Sequence, residues 1–460
     1  MSAEFLFERF AQNAGHEALV WQGRTFDYRS LLARIDDWDQ QLDRWGVQGP
    51  RVVIQEADYS PGAVALMLAL IRRQCVVVPL TPGGHSVEEC AAIVGAEYRL
   101  RTDVGTDRFA IEALSHTPAH SLYDQLRREQ HAALILFSSG STGPPKAAVH
   151  DVERLLHKFQ ARRRSLRTLA FLMFDHIGGV DTLLYSLSNV SCLVTVPDRL
   201  PETVCASVEK HQVEVLPVSP SFLNLLILSQ AYERYDLSSL KVITYGAEVM
   251  PEATLRRCHE LFPNVQMVQK FGATEVGALR SKSKAPDSTW VRIGGEGYQT
   301  RIVDGILHIK AHSAILGYLN APSPFTADGW FVTGDLVEVD GEYMRILGRE
   351  SDVINVGGEK VNPSEVENVI HDIPAVREVA VYGERNAILG NIVCASVSLV
   401  TDAASADHRA IIRDIKERCR QLLPGYKVPV KIAIVAEPLH SERSKKLRRS
   451  VPSGSPDAGR

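Results

Sequence analysis

The 460-residue chain lacks the features that would mark a membrane, secreted or nucleic-acid-binding protein. It has no excess of one charge. Its 51 Lys and Arg against 55 Asp and Glu give a formal net charge of −4, which argues against nucleic acid or another polyanion as partner. Two basic runs, Ala161–Ser165 and Ser444–Arg449, are short, and the first reads as a solvated helix face. The longest apolar run, Gly62–Ile71, falls short of the ~20 residues a bilayer requires, so it predicts a buried helix and no membrane span. The opening "MSAEFLFERF" is acidic where a signal peptide needs a basic start and an apolar core. Seven cysteines, odd in number and scattered, form no C-x-x-C pair; they suggest a reducing compartment and small buried hydrophobes. A cytoplasmic location is the expectation. Internal repeats are missing too, and the final "VPSGSPDAGR" reads as a disordered tail.

What is present is alternation. Up to about residue 345, short β-rich runs ("RVVIQEA", "CVVVPL", "AALILF", "CLVTVP", "VEVLPVS", "LKVITYG") are separated by helical stretches such as "DVERLLHKFQARRR" and "PEATLRRCHELFP". That order predicts layered α/β structure with parallel sheets. After "GEYMRILGR" the pattern changes to few strands and two helices, a small α+β unit. The boundary is placed at Gly348–Ser351, giving a large N-terminal domain (1–348) and a C-terminal domain (349–460) joined by a hinge.

The stretch "ILFSSGSTGPPKAAVHD" (Ile135–Asp151) follows a strand and leads to a helix for which Asp151 is a plausible N-cap. It carries Ser138, Ser139, Gly140, Ser141, Thr142, Gly143 and Lys146. Glycines let a backbone approach a ligand, amides and hydroxyls donate to phosphate oxygens, and lysine adds a point charge. It is not a Walker A loop, because Pro144 and Pro145 stand between the second glycine and the lysine.

"SSGSTGPPK" resembles the phosphate loop of the adenylate-forming superfamily: acyl-CoA synthetases, luciferases of the firefly type and the adenylation domains of peptide synthetases. Ala147 replaces the usual glycine. Further segments in the family's order extend the resemblance over about residues 15–449. "ITYGAE" matches the segment that flanks adenine, with Gly246, Ala247 and Glu248. "QKFGATEVG" matches the [YF]-G-x-T-E motif. The resemblance implies that Phe271, Gly272 and Ala273 border the adenine, Thr274 contacts phosphates and Glu275 helps hold Mg²⁺. "GWFVTGDLVEVDGEYMRILGR" implies Asp335 as acceptor for the ribose hydroxyls, with Arg349 supporting the ribose or the triphosphate. "GRESDVINVGGEKVNPSEVENVI" implies a hinge at Ser351 and a glycine turn, Gly357–Gly358, lining a thiol tunnel. "LHSERSKKLRR" departs most from the family pattern: Lys446 takes the catalytic lysine position, with Lys445 beside it as the competing choice.

These parts imply ATP-dependent activation of a small carboxylic acid as acyl-AMP, with ATP and Mg²⁺, followed by transfer to the thiol of CoA. The alternative acceptor is a carrier-protein phosphopantetheine acting in trans, or another nucleophile; a degenerate nucleotide-binding regulator is the non-enzymatic reading. "FLMFDHIGGVDTLLYSL" lies where relatives carry the acid pocket, with His176 and Gly179 in its H-x-x-G. Asp175 has three readings: partner to a substrate amine, turn cap, or anchor of the histidine tautomer. Ser219, with Val218, Pro220 and Ser221, and Tyr245 are candidate pocket walls.

Overall fold

The β-rich runs assemble into the parallel centres of two seven-stranded sheets, seen in a computed structural model that describes residues 3–103, 105–138, 144–400, 407–436 and 439. One sheet runs Gln266–Gln269, Val242–Tyr245, Val215–Val218, Thr168–Leu169, Leu193–Val194 and Glu17–Trp21 in parallel, and Arg24–Asp27 closes it antiparallel. The other centres on Ala133–Ser138, Val76–Leu80, Val52–Glu56 and Tyr98–Thr102, all parallel, with antiparallel strands at both edges. Strands covered on both faces need continuous apolar runs, and "VVVPL" is buried at all five positions.

The run Gly62–Ile71 does form a buried helix. In Pro61–Arg72 every residue up to Ile71 is buried. Each large apolar side chain removed from water there contributes about 1.5–3 kcal/mol. Ser60 caps the helix, its Oγ accepting from the Ala63 amide at 3.0 Å. Arg72 ends it in ion pairs to Asp36 and Asp39. All seven cysteines are buried and none forms a disulfide.

Two expectations differ from the structure. Between Phe271 and Arg349 the chain forms no helix among the described residues. It builds a small hairpin and a six-stranded antiparallel sheet instead of continuing the parallel alternation. Local turn chemistry explains this. Asp304 and Gly305 both have positive φ (52° and 78°), the requirement of a two-residue hairpin turn joining Tyr298–Val303 to Ile306–Ala311. The second difference is the helix expected over "DVERLLHKFQARRR", which is only Val152–Leu156 plus a 3-10 turn, His157–Phe159.

The antiparallel sheet ends with Tyr343–Arg349, a 3-10 turn covers Glu350–Asp352, and a new sheet starts at Ile354–Val356. That five-stranded sheet is organised around the long pair Val376–Asn386 and Gly390–Leu399, packed by helices Pro363–His371 and His408–Leu422. The fold is thus a large layered α/β region followed by a smaller α+β unit.

Ser60→Ala removes the cap of the central buried helix. It is expected to cost about 0.5–2 kcal/mol, read as a lowered urea midpoint at unchanged slope; an unchanged midpoint would show the cap to be dispensable.

Candidate active site

The "SSGSTGPPK" stretch connects two antiparallel strands, Ala133–Ser138 and Lys146–Asp151, with Ser138 directly opposite Lys146. The segment after Lys146 is therefore a strand before it becomes a helix. Asp151 caps that helix as expected, its Oδ1 accepting from the Glu153 amide at 2.9 Å. Ser139, Gly140, Ser141, Thr142 and Gly143 lie outside the described residues.

A segment that the sequence reading passed over, Ile315–Asn320, braces this hairpin. Leu316 and Leu319 donate backbone N–H to the Val149 and Ala147 carbonyls at 2.8 and 3.0 Å. Asn320 accepts from the Ala147 amide and donates to the Pro145 carbonyl, both at 2.9 Å. The Ile315 amide donates to the Glu275 carbonyl at 2.9 Å, and the Tyr318 hydroxyl donates to Glu275 Oε1. The Lys146 ammonium lies 5.6 Å from the centre of the Tyr318 ring. Burial and the Glu275 charge hold the Tyr318 phenol well above its ordinary range, while a hydrogen bond with Ser138 acts in the opposite direction. Ser138, Lys146, Tyr318 and Glu275 thus meet at one place. A hydroxyl, an ammonium and a carboxylate together suit a phosphate group and its cation: Glu275 fits Mg²⁺, which takes one or two carboxylates with phosphate oxygens and water.

Glu275 and Thr274 sit at the tip of a tight hairpin, Phe271–Ala273 paired with Gly277–Leu279. The Ser313 hydroxyl fastens the tip by donating to the Val276 carbonyl at 2.7 Å. Phe271 is buried at the root. Gly246 lies directly against this root, since a Cβ there would come within 2.5 Å of the Lys270 carbonyl. Ala247 follows with a positive φ of 70°, so the chain turns sharply off the strand that ends at Tyr245. Glu248 accepts from the Ser221 hydroxyl at 2.6 Å and amide at 3.2 Å, tying this turn to the helix Pro220–Ser229. Ser219 is that helix's N-cap. Tyr245 is fully buried, its hydroxyl without a hydrogen-bond partner among the described residues.

Asp335 and Arg349 face each other on neighbouring strands, Arg349 Nε 2.8 Å from Asp335 Oδ1. Arg349 also donates to the Thr333 carbonyl at 2.6 Å, and the Thr333 hydroxyl accepts from the Asp335 amide at 2.9 Å. Asp335 is buried in the sheet, not in an exposed turn. Burial pushes its carboxyl up to about 6; Arg349 opposes the shift, and the charges of Asp352 and Glu275 add to it. The two motifs, far apart in sequence, are thereby electrostatic neighbours.

On the side expected for the acid, Asp175 is buried and its Oδ2 accepts from the Thr81 amide at 3.1 Å. This bond fits its role as a turn anchor. His176 caps the helix Ile177–Ser188, its Nδ1 accepting from the Gly178 amide at 3.1 Å. Gly179 has no room for a side chain, because a Cβ would lie 1.9 Å from the Met173 carbonyl and 2.8 Å from the Tyr59 hydroxyl. In the C-terminal unit, Ser351 is exposed in the 3-10 turn. Gly357 and Gly358, at φ 60° and 94°, make the turn between strands Ile354–Val356 and Glu359–Val361. Lys445 and Lys446 lie outside the described residues.

A carboxylate that accepts both hydroxyls of a cis-diol must be ionised. Because burial raises the Asp335 carboxyl to about 6, adenosine affinity is expected to hold above that pH and fall by up to about tenfold per unit below it. Asp335→Asn should weaken adenosine throughout and flatten the profile. Calorimetric titration at several pH values checks this, and a flat wild-type profile would reject the ribose assignment.

The AMP-binding enzyme family model matches residues 6–305, and that of the AMP-binding enzyme C-terminal domain matches residues 365–446. Indoleacetate–CoA ligase of Aromatoleum aromaticum is 28% identical over 337 residues, a match that spans 67% of this chain and 64% of that protein. A 2-succinylbenzoate–CoA ligase of Listeria monocytogenes is 28% identical over 471 residues, 97% of this chain and 98% of the relative. Among solved structures, the anthranilate CoA ligase AuaEII in complex with anthranoyl-AMP superposes with a TM-score of 0.83 at 21% identity, covering 97% of this chain and 95% of that one. The fold, the ordered motifs and the two matched models together show that the chain belongs to the AMP-binding enzyme family of the adenylate-forming superfamily.

Proposed function

We propose that this protein activates a carboxylic acid as its acyl adenylate and passes the acyl group to the thiol of CoA. The observation that carries the reading is the meeting of Ser138, Lys146, Tyr318 and Glu275, with Asp335 and Arg349 close enough to share their field. A carboxylate is a poor acyl donor because its oxygen leaves badly. Attack of that oxygen on the α-phosphorus of ATP breaks the bond to the β-phosphate and releases pyrophosphate, giving acyl-AMP. Charge accumulates on the α-phosphate during this displacement, so the protein's contribution is positioning and electrostatic stabilisation. Lys146 and the loop hydroxyls hold the phosphates, Asp335 and Arg349 the ribose, and Lys446 neutralises the developing charge. Glu275 would hold Mg²⁺, which when bound would supply further neutralisation of the phosphates. A thiol then attacks the acyl carbonyl, its proton leaves to solvent and AMP departs.

Two CoA ligases among the relatives support CoA as the acceptor. The thiol approaches along the Gly357–Gly358 turn after the C-terminal unit, residues 349–460, rotates about Ser351. ATP–pyrophosphate exchange over a panel of aryl, fatty and amino acids tests activation; thioester formation with CoA against a holo carrier protein tests the acceptor. Loss of one preorganised donor costs roughly 10²–10³ in rate, about 2.7–4 kcal/mol. Lys446→Ala is expected to lose exchange on that scale and Lys445→Ala to keep it; the reverse pattern would move the catalytic role to Lys445. Ser351→Pro is expected to leave exchange intact and slow thioester formation, whereas equal loss of both would reject the hinge.

A further inference from the structure

One fully buried histidine takes no part in the chemistry assigned so far. His150 belongs to the strand Lys146–Asp151 and has no exposed surface. Neither of its ring nitrogens has a hydrogen-bond partner among the described residues. A buried polar group left without a full partner costs stability, so a fold that keeps one calls for an explanation.

Strand alternation fixes which way the ring points. Residues two apart share a face of a strand, so His150 lies on the face of Ala148 and Lys146. Ala148 packs with Ile315 and Tyr318; the Lys146 ammonium lies by the Tyr318 ring, whose hydroxyl donates to Glu275. Ala147 and Val149 pack on the opposite face with Ile135 and Phe137. The face of His150 is therefore the one turned to the hairpin that carries Thr274 and Glu275.

Two consecutive amides close the distance. Leu316 donates to the Val149 carbonyl at 2.8 Å and Ile315 to the Glu275 carbonyl at 2.9 Å, so one dipeptide spans from beside His150 to the hairpin tip. On the other side Leu155, of the helix Val152–Leu156, comes against the tip, since a Cβ on Gly277 would stand 3.9 Å from its Cδ2. Enclosed between these supports, the ring has the Thr274 backbone as the hydrogen-bonding group that acts on it. Burial first, then the charge of Lys158, push the imidazole down to about 3, so it is neutral and keeps one N–H to donate.

We propose that His150 is a positioning residue for phosphate binding. Its ring N–H steadies the Thr274 carbonyl and with it the rotation of the hairpin tip, so that the Thr274 hydroxyl is aimed at a phosphate of ATP. Being enclosed, the ring touches neither substrate nor reacting atoms and acts through Thr274 alone. The inference rests on the acid-activating reading above and on the contact between Thr274 and the phosphates that the family resemblance implies.

The test is ATP–pyrophosphate exchange by the full chain, for wild type, His150→Leu, His150→Gln, Thr274→Ala and the double variant His150→Leu with Thr274→Ala. The control is His308→Leu, at another buried histidine with an unpartnered Nδ1, on the strand Ile306–Ala311. His150→Leu is expected to lower kcat/KM for ATP by roughly tenfold, through the KM for ATP, with the KM for the acid unmoved. His150→Gln, which keeps a donor away from the imidazole's fixed position, should recover part of the loss, and His308→Leu should change the melting temperature alone. The double variant should be no worse than Thr274→Ala, because the histidine's effect passes through that residue. Additive losses, or a KM for the acid that moves in place of the KM for ATP, would reject the assignment. An unmoved His150→Leu in a wild type active in exchange would overturn this inference and leave acid activation standing. A wild type that exchanges pyrophosphate with none of the acids would reject both. Should His150→Leu fail to fold, His150→Gln takes its place in the cycle: its partial loss must vanish when Thr274 is replaced by alanine, and a loss that persists, or no loss at all, would remove His150 from the site.

Discussion

The hydrogen bond from Tyr318 to Glu275 joins two parts of the molecule that nothing in the chain's order brings together. On one side stands the strand pair Ala133–Ser138 and Lys146–Asp151; on the other stands the hairpin that presents Glu275. Tyr318 belongs to a short edge strand paired with Lys146–Asp151, so whatever fixes that strand also fixes Glu275. Asn320 completes the brace by taking up both a donor and an acceptor of the returning loop. The side chains that the proposed function assigns to the phosphates are thereby held on a hydrogen-bonded sheet, so little reorganisation would be needed when ligand arrives.

Charge is distributed unevenly around this brace. Asp335, Glu275 and Asp352 share one neighbourhood with Arg349 as the near counter-ion, and burial keeps Asp335 closer to neutrality than an ordinary aspartate. Behind the hairpin, basic side chains stand in ion pairs, Arg154 with Asp151 and Lys158 with Asp181. In the proposed reaction a divalent cation beside Glu275 would relieve the repulsion on the acidic side.

The reading of pocket residues changes once backbone hydrogen bonds are counted. Asp175 anchors the Thr81 amide, His176 and Ser219 cap helices, and Gly179 accommodates a carbonyl and a tyrosine hydroxyl. Side chains of these types bond backbone at turns and helix starts as readily as they bond ligands, and sequence spacing cannot separate the two uses. Tyr318 and Asn320 belong to no motif, because their roles come from what lies opposite them in space.

Sequence by itself determined the α/β class and the buried helix at Gly62–Ile71, since periodicity and composition act over a few residues, and the resemblance of its motifs gave the family. Tertiary structure decided that residues 271–349 form antiparallel sheet, that Tyr318 closes on Glu275, that Asp335 is buried beside Arg349, and that Lys158 reaches the hairpin at the Ala278 carbonyl. Those outcomes depend on strand register and on the burial of charge, which arise only when distant segments share one low-dielectric interior.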